Sequence, residues 1–152
     1  MLVEKRLEEL GIKLPQAAAP IANYVSIVQT GDLLFMSGAG PITEGKVSLT
    51  GALGVDVSVE QGYAAAREGA INIIAALKGY LGDLDRVEQI VKLLGFVRCS
   101  SDFAQQPAVI NGASDLFVEV FGDKGRHARS AVGTNALPLN MPVEVEAVVR
   151  IK

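Results

Sequence analysis

The sequence predicts an α+β fold in which two long helices pack on one face of a mixed β-sheet. Apolar residues recur at helical spacing over residues 58–81 and 107–121, whereas shorter stretches rich in Val, Ile and Leu have the length of strands. Along the chain, a short helix and strands are followed by a helix, a strand, a helix and two strands. Because no internal repeat or linker interrupts the 152 residues, we expect a single domain.

A short amphipathic helix is predicted at the N terminus. Val3 and Leu7 share one helical face, and charged residues occupy the others. Residues 15–20 are rich in Ala and Pro and should form an extended connector. The expected domain therefore consists of an N-terminal helix with its connector, residues 1–19, and a core, residues 20–152.

The first two strands are predicted to form a hairpin. Residues 24–29 and 33–38 are apolar runs joined by Thr30-Gly31-Asp32, which is typical of a hairpin turn. Residues 40–57 then form a loop with a short strand at 47–50. The glycines of this loop lack the spacing of a phosphate-binding loop, so we interpret them as turn residues.

Each long helix has its own start and stop signals. Ser58-Val59-Glu60-Gln61 matches a capping box, and Gly82 lies where the first helix should end. Pro107 suits the first turn of the second helix, which Gly122 ends. Between the helices, residues 87–99 form an almost continuous apolar run, which predicts a strand covered on both faces.

The two C-terminal strands flank a turn that contains Leu-Pro and Met-Pro. In the last strand, apolar residues alternate with Glu144, Glu146 and Arg150, the period of a half-buried strand. Arg129 lies near the start of the preceding strand, among Gly, Ala and Ser residues. A guanidinium at a strand mouth and a carboxylate on the next strand can together bind a carboxylate substrate and handle a proton.

Composition excludes several classes of protein. The formal net charge of -3 provides no basic surface for nucleic acid, and no apolar run is long enough to span a bilayer. The single cysteine cannot form an intramolecular disulfide and fits a reducing compartment, and the charged first residues lack an apolar signal core. We therefore expect a cytoplasmic protein. With one His, one Cys and no carboxylates at ligand spacing, we expect neither a metal nor a cofactor.

The C-terminal segment carries a family resemblance. Arg129-Ser130-Ala131-Val132, Leu137-Pro138 and Val143-Glu144-Val145-Glu146-Ala147 resemble the signature of the Rid family, the reactive intermediate deaminases, also known as YjgF-type or L-PSP endoribonuclease proteins. Upstream positions agree, so the resemblance extends from about residue 20 to the C terminus. It implies a chorismate-mutase-like fold and a homotrimer with a central barrel, in which each site lies in a cleft between neighbouring subunits.

The resemblance also implies a reaction. The matching arginine, Arg129, would grip the carboxylate of a small 2-imino acid, and Glu144 would position or activate the water that attacks the imine carbon. The products would be a 2-oxo acid and ammonia, formed without a metal or organic cofactor. Further positions that match the family's substrate-binding residues are Tyr24, Ser37, Gly38, Asn111 and Ala131.

This chain departs from the familiar pattern at three places. Ala131 replaces a cysteine, Ser114 replaces a tyrosine, and the loop before Arg129 is one residue longer. We expect position 131 to act through its backbone, because every non-proline residue carries the same amide and carbonyl groups. His127, two residues before Arg129, is either a loop histidine or a second cation or proton donor.

Other interpretations remain open from the residues alone. Arg129 could form a surface or interface ion pair, Asn111 could be a solvated helix residue, and Glu144 could be a solvated strand residue or pair with Arg150. Tyr24 could cap the core. The second functional hypothesis is a non-catalytic trimer that binds small carboxylates. A ribonuclease is disfavoured by the acidic charge balance.

Overall fold

The computed structural model describes residues 2–17, 19–20 and 22–152. Three helices and seven strands alternate along the chain in the predicted order. They are α1 (Leu2–Glu9), β1 (Ile27–Thr30), β2 (Leu33–Met36), β3 (Ile42–Thr43), β4 (Lys46–Val47), α2 (Val59–Leu81), β5 (Val87–Arg98), α3 (Gln106–Phe121), β6 (Ala128–Thr134) and β7 (Val143–Ile151). Single turns of 3-10 helix lie at Leu84–Arg86, Gly122–Gly125 and Pro138–Asn140.

Five strands form one mixed sheet in the order β1-β2-β7-β5-β6. The pair β5 and β6 is parallel and the other pairs are antiparallel, because α3 crosses from the end of β5 to the start of β6. The β1–β2 hairpin turns at Gly31, whose φ of 58° lies in the left-handed region. This arrangement confirms the predicted α+β class and the hairpin.

The start and stop signals of α2 form as predicted. Gln61 donates its backbone N–H to Ser58 Oγ at 3.1 Å, and its side chain accepts the Ser58 backbone N–H at 2.9 Å. Both bonds satisfy donors that a helix N-terminus otherwise leaves unpaired. Gly82 ends the helix with a φ of 75°. In α3, a proline occupies the first turn and Gly122 follows the last, again as predicted.

Both long helices pack on the same face of the sheet. A Cβ added to Gly69 of α2 would lie 3.1 Å from Val145, and one added to Gly95 of β5 would lie 2.5 Å from Ile110 of α3. Glycine thus lets each helix approach the strands closely. The largest fully buried side chains of this core include Phe117, Leu34, Ile73, Ile74, Leu77, Ile90, Leu93, Ile110 and Leu116.

The opposite face of the sheet is uncovered in the chain. Exposed fractions are 56% for Val28, 48% for Phe35 and 42% for Val132, which lie on three different strands of this face. Leu94 and Phe96 of β5 are only half-buried. The expectation that β5 is covered on both faces is therefore wrong for the single chain, because the helices cover one face alone.

The N-terminal helix packs on the core, as predicted. Leu7 is buried, and Arg6 Nε donates to the carbonyl of Glu119 in α3 at 2.9 Å. Lys78 of α2 forms an ion pair with Glu4 at 2.8 Å. The predicted connector has no helix or strand at its described positions, and its Ala18 lies outside the described residues.

One small element differs from the prediction. The strand expected at 47–50 is instead a two-stranded ribbon, β3 with β4, which shares only Val47 with the predicted range. Its turn is formed by Glu44 and Gly45, with φ values of 53° and 76°. Each of these strands has only two residues, which is too few for an alternating pattern to be recognised in the sequence. None of the helices in the described part of the chain is long and apolar enough to cross a membrane.

Close packing of α2 against α3 gives a test of the fold. A Cβ on Gly112 would lie 2.0 Å from the carbonyl oxygen of Tyr63, so Gly112→Ala should force the helices apart. We expect a loss of about 1–3 kcal/mol in the free energy of unfolding, measured by urea denaturation. Gly79→Ala in α2 is the matched control, because its nearest contact would be 3.7 Å away and alanine favours the helix. Equal midpoints for the two variants would contradict the packing.

Candidate functional site

Arg129 is held by two residues of α3. Its Nη1 atom donates to Asn111 Oδ1 at 2.8 Å and to Ser114 Oγ at 3.1 Å. Asn111 and Ser114 are three residues apart, so they lie on one face of the helix. The register of β6 pairs Arg129 with Leu93, a fully buried residue under the helices. Arg129 therefore extends from the helix-covered face of the sheet, and Asn111 is not merely a solvated helix residue.

A hydrogen-bond chain continues from Ser114 to the backbone. Ser114 Oγ lies 2.9 Å from His127 Nε2, and His127 Nδ1 lies 2.6 Å from the carbonyl oxygen of Gly125. A carbonyl can only accept, so Nδ1 carries the hydrogen, and in the neutral ring Nε2 is then the acceptor. The Ser114 hydroxyl accordingly donates to His127 and accepts from Arg129.

The surroundings of His127 favour its neutral form. The ring packs edge-on against Phe117, with centroids 6.0 Å apart and planes at 85°. Burial lowers the pKa of His127 below its ordinary 6.5, and the nearby Arg129 charge lowers it further. The interpretation of His127 as a second cation therefore loses support. His127 lies in the loop before β6, and its alternation with Arg129 in the sequence was the signal that the two share a face.

Ala131 follows Arg129 on the same face of β6. It is half-buried against the core and level with Gly95 of β5. Its methyl group occupies the position where the familiar signature has a thiol. The alanine adds no polar side-chain atom to this part of the site.

A second group of predicted residues lies at the start of β7. A Cβ on Gly38 would be 2.8 Å from Glu144 Cδ and Oε1, so the missing side chain makes room for this carboxylate. Ser37 Oγ donates to the carbonyl of Val25 at 2.7 Å, a bond that ties the end of β2 to the segment before β1. The neighbouring Tyr24 is 53% exposed and does not cap the core.

The environment of Glu144 favours its neutral form. Burial raises the pKa of the Glu144 carboxyl above its ordinary 4.5, and the charge of Glu146 on the same strand face raises it further. Among the described residues, the ion pairs include neither Glu144 nor Arg129. The ion pair between Glu144 and Arg150, which the sequence left open, is therefore not formed among the described residues. The two residues are six positions apart along the extended strand β7.

Arg129 and Glu144 do not meet within one chain. Arg129 is level with Leu93 of β5, whereas Glu144 is level with Phe96, three residues further along. That offset amounts to about 10 Å, and an odd offset places the side chains on opposite faces of the sheet. The candidate site is thus divided into two halves: an arginine half, with Asn111, Ser114, His127 and Ala131, and a glutamate half, with Gly38 and the adjoining Ser37. Tyr24 belongs with the glutamate half only as the chain neighbour of Val25, which Ser37 bonds.

Three carboxylates lie close together away from both halves. Oxygen atoms of Glu4, Asp83 and Asp85 are within 4.8 Å of one another, a grouping of distant residues that spacing in the sequence did not reveal. Lys78 bonds Glu4, and Asp85 accepts the backbone N–H groups of Leu2 and Val3. Glu4 and Asp85 thus fasten α1 to the core, Asp83 accepts the backbone N–H of Asp85, and we assign no metal to the three carboxylates.

Comparison with known proteins decides the family. Residues 4–149 match the profile of the family described as "YjgF/chorismate_mutase-like, putative endoribonuclease". The chain belongs to the YjgF, or Rid, family. This match confirms the resemblance found in the C-terminal signature and the chorismate-mutase-like fold.

Several relatives of this YjgF-family chain are similar over nearly their whole length. Protein TCP17 of Trypanosoma cruzi is 49% identical over 150 residues, which cover 98% of this chain and 94% of the relative. The crystal structure of Atu1372 from Agrobacterium tumefaciens, a protein of unknown function, has a TM-score of 0.93 and 46% identity, covering 99% of this chain and 93% of that one. A "putative endoribonuclease" from Shewanella oneidensis MR-1 has a TM-score of 0.94 and 38% identity, covering 98% and 99%.

The protonation state of His127 can be measured directly, because it is the sole histidine. We expect its NMR titration midpoint below 6.5 in the folded protein and near the ordinary value in urea. A folded pKa below the unfolded one means that the unfolded state gains the proton first, so this contribution to stability is present above pH 6.5 and is lost as the pH falls. A folded midpoint at or above 6.5 would contradict a half-buried ring whose neutral form is favoured.

Proposed function

We propose that this YjgF-family chain hydrolyses small 2-imino acids to 2-oxo acids and ammonia. The observation that carries the proposal is the state of Arg129. Arg129 is half-buried, and the hydrogen-bond partners of its guanidinium, Asn111 and Ser114, are both uncharged. A positive charge fixed in place without a carboxylate partner among the described residues is suited to an anionic ligand.

In the proposed reaction, Arg129 binds the substrate carboxylate and Glu144 takes a proton from water. The water oxygen bonds to the imine carbon, the nitrogen gains protons, and the C–N bond breaks to release ammonia and leave a carbonyl. Such imines also hydrolyse in water, so the protein needs only to orient the substrate and place a base. The raised pKa of Glu144 makes it a stronger base than an ordinary carboxylate.

We further propose that two subunits complete each site, in a homotrimer. The arginine half and the glutamate half lie on opposite faces of one chain, so a small substrate can touch both only if a neighbour supplies one of them. The uncovered sheet face exposes Val28, Phe35 and Val132, and burying such apolar area would favour association.

A second candidate function is non-catalytic binding of small carboxylates. Ala131 and Ser114 depart from the family pattern on the arginine half alone, and that half can bind a carboxylate without Glu144. The name endoribonuclease, attached to the family profile and to several similar structures, would require a surface for RNA phosphates, which the net charge of -3 does not favour.

A coupled assay separates the two functions. A PLP-dependent dehydratase acting on threonine generates the imine, and 2-oxo acid release is followed with and without the chain. We expect acceleration by the parent protein, and none from Arg129→Ala, which should also bind 2-oxobutanoate roughly 10- to 100-fold more weakly. Arg129→Lys should rescue little, because lysine lacks the fork that binds both oxygens. Binding without acceleration would favour the second function, and unchanged binding by Arg129→Ala would exclude both.

The pH dependence of hydrolysis tests Glu144. As a base it must be ionised, so kcat/KM should fall on the acid side of its raised pKa, and Glu144→Gln should lower the rate by about 100-fold. Glu146→Gln removes a like charge, lowers the pKa of Glu144, and should move the acid limb to lower pH. Glu88→Gln, on β5 beside Lys152, is the matched control and should leave the limb in place. An unmoved limb in Glu146→Gln would remove Glu144 from the role of base.

Mixed trimers test the shared site. Arg129→Ala alone should not accelerate hydrolysis and Glu144→Gln alone should be about 100-fold slower than the parent. Subunits of the two variants refolded together should recover activity, because some sites then combine an intact Arg129 with an intact Glu144. Random mixing of equal amounts predicts recovery to about one quarter of the parent rate. Light scattering establishes the trimer in the same samples. Mixed trimers without activity would contradict a site shared between subunits.

A further inference from the structure

The bonds of Arg129 leave one particular edge of its guanidinium for a ligand. Nη1 carries two hydrogens, and its two partners, Asn111 Oδ1 at 2.8 Å and Ser114 Oγ at 3.1 Å, account for both. Within the part of the chain that the structure describes, these are the hydrogen bonds of the Arg129 side chain. The Nε–H and one Nη2–H, which point in parallel from the other edge, form the fork that matches two carboxylate oxygens.

We propose that Ser114 and His127 are positioning residues that fix this fork for side-on binding of the carboxylate of a 2-imino or 2-oxo acid. The assignment deepens the proposed function and rests on it for the identity of the ligand. Ser114 and His127 do not touch the substrate. They set the rotation of the guanidinium by holding Nη1.

In the hydrogen-bond chain from Arg129 to Gly125, the donor and the acceptor of each bond are fixed. Arg129 can only donate to Ser114, and the Gly125 carbonyl can only accept from His127. Ser114 therefore has one orientation that satisfies both neighbours, with its hydrogen on His127 Nε2. A lone serine hydroxyl rotates freely, so the histidine is what turns Ser114 into an oriented acceptor for the guanidinium.

The far end of the chain is anchored by packing. Gly125 is buried, and a Cβ there would lie 2.1 Å from the carbonyl oxygen of Phe117 in α3. Phe117 also contacts the edge of the His127 ring. Both ends of the hydrogen-bond chain therefore contact α3, the helix that carries Asn111 and Ser114. Arg129 is thus positioned relative to α3 and not by the loop alone.

Two departures of this protein from the familiar pattern, Ser114 and the longer loop before Arg129, are in contact with each other. With Ser114 in place of the tyrosine of the familiar pattern, a large side chain is absent beside Arg129, and His127 reaches the serine from the loop that is one residue longer. The hydrogen bond between Ser114 and His127 thus links the longer loop to α3.

NMR of the arginine side chain tests the positioning without a ligand. In the parent, the Nη protons of Arg129 should give separate resonances, because hydrogen bonds to Nη1 slow rotation of the guanidinium. Ser114→Ala and His127→Leu should each collapse them to an averaged signal. His127→Gln, which can donate and accept at similar places, should restore much of the separation. Unchanged separation in Ser114→Ala and in His127→Leu would overturn the proposal.

Binding of 2-oxobutanoate gives the second readout. Ser114→Ala and His127→Leu should each weaken binding about three- to tenfold, the effect of one neutral hydrogen bond, and the double variant should be no worse than either alone. Neither change should have an effect in the Arg129→Ala background. Additive losses, or losses that persist without Arg129, would mean that the two residues are merely structural.

Tyr63→Phe is the matched control. It removes a hydroxyl that bonds α3 at Asp115 with a distance of 2.7 Å, one residue from Ser114, but that does not reach Arg129. It should leave both the guanidinium resonances and the binding unchanged, and losses equal to those of Ser114→Ala would overturn the assignment. If the parent fails to bind 2-oxobutanoate while its guanidinium is ordered as described, the proposed function fails and the positioning stands.

Discussion

The packing of both long helices on one face of the sheet is the constraint on which the rest of the molecule depends. Glycines 69, 95 and 112 let α2, α3 and the strands approach one another closely, and larger residues there would force the layers apart. The same packing fills one side of the sheet completely and leaves the other side without a cover. A fold of this kind has one face committed to its own core and one face available to a neighbour.

That division also separates the chemistry. Residues of β6 that face the helices meet α3, so Arg129 acquires Asn111 and Ser114 as partners. Glu144 of β7 faces away from the helices, beside Gly38, so it is half-buried without an ion-pair partner among the described residues. Charge on the arginine is thereby stabilised by neutral dipoles, and charge on the glutamate is disfavoured. The cation therefore lies in the arginine half and the carboxyl group in the glutamate half.

Local signals in the sequence were sufficient for most of the secondary structure. The capping box at Ser58, the glycines at 82 and 122, and the alternation through β7 are short-range patterns whose physical meaning does not depend on the rest of the chain. The ribbon of β3 and β4 was missed because its strands are two residues long. The predicted cover on both faces of β5 was wrong for the single chain, because apolar content does not reveal which face a helix will occupy.

The sequence by itself determined the family, most of the elements and the identity of the candidate residues, since a signature and its periodicity are written in neighbouring positions. Tertiary structure alone decided how those residues are grouped. Asn111, Ser114, His127 and Gly125 form one hydrogen-bond chain with Arg129 because α3 and β6 lie side by side. Glu144 lies on the other face because its register on β5 is offset from that of Arg129 by three residues. Contacts across a crossover helix depend on register and packing, which no local pattern encodes.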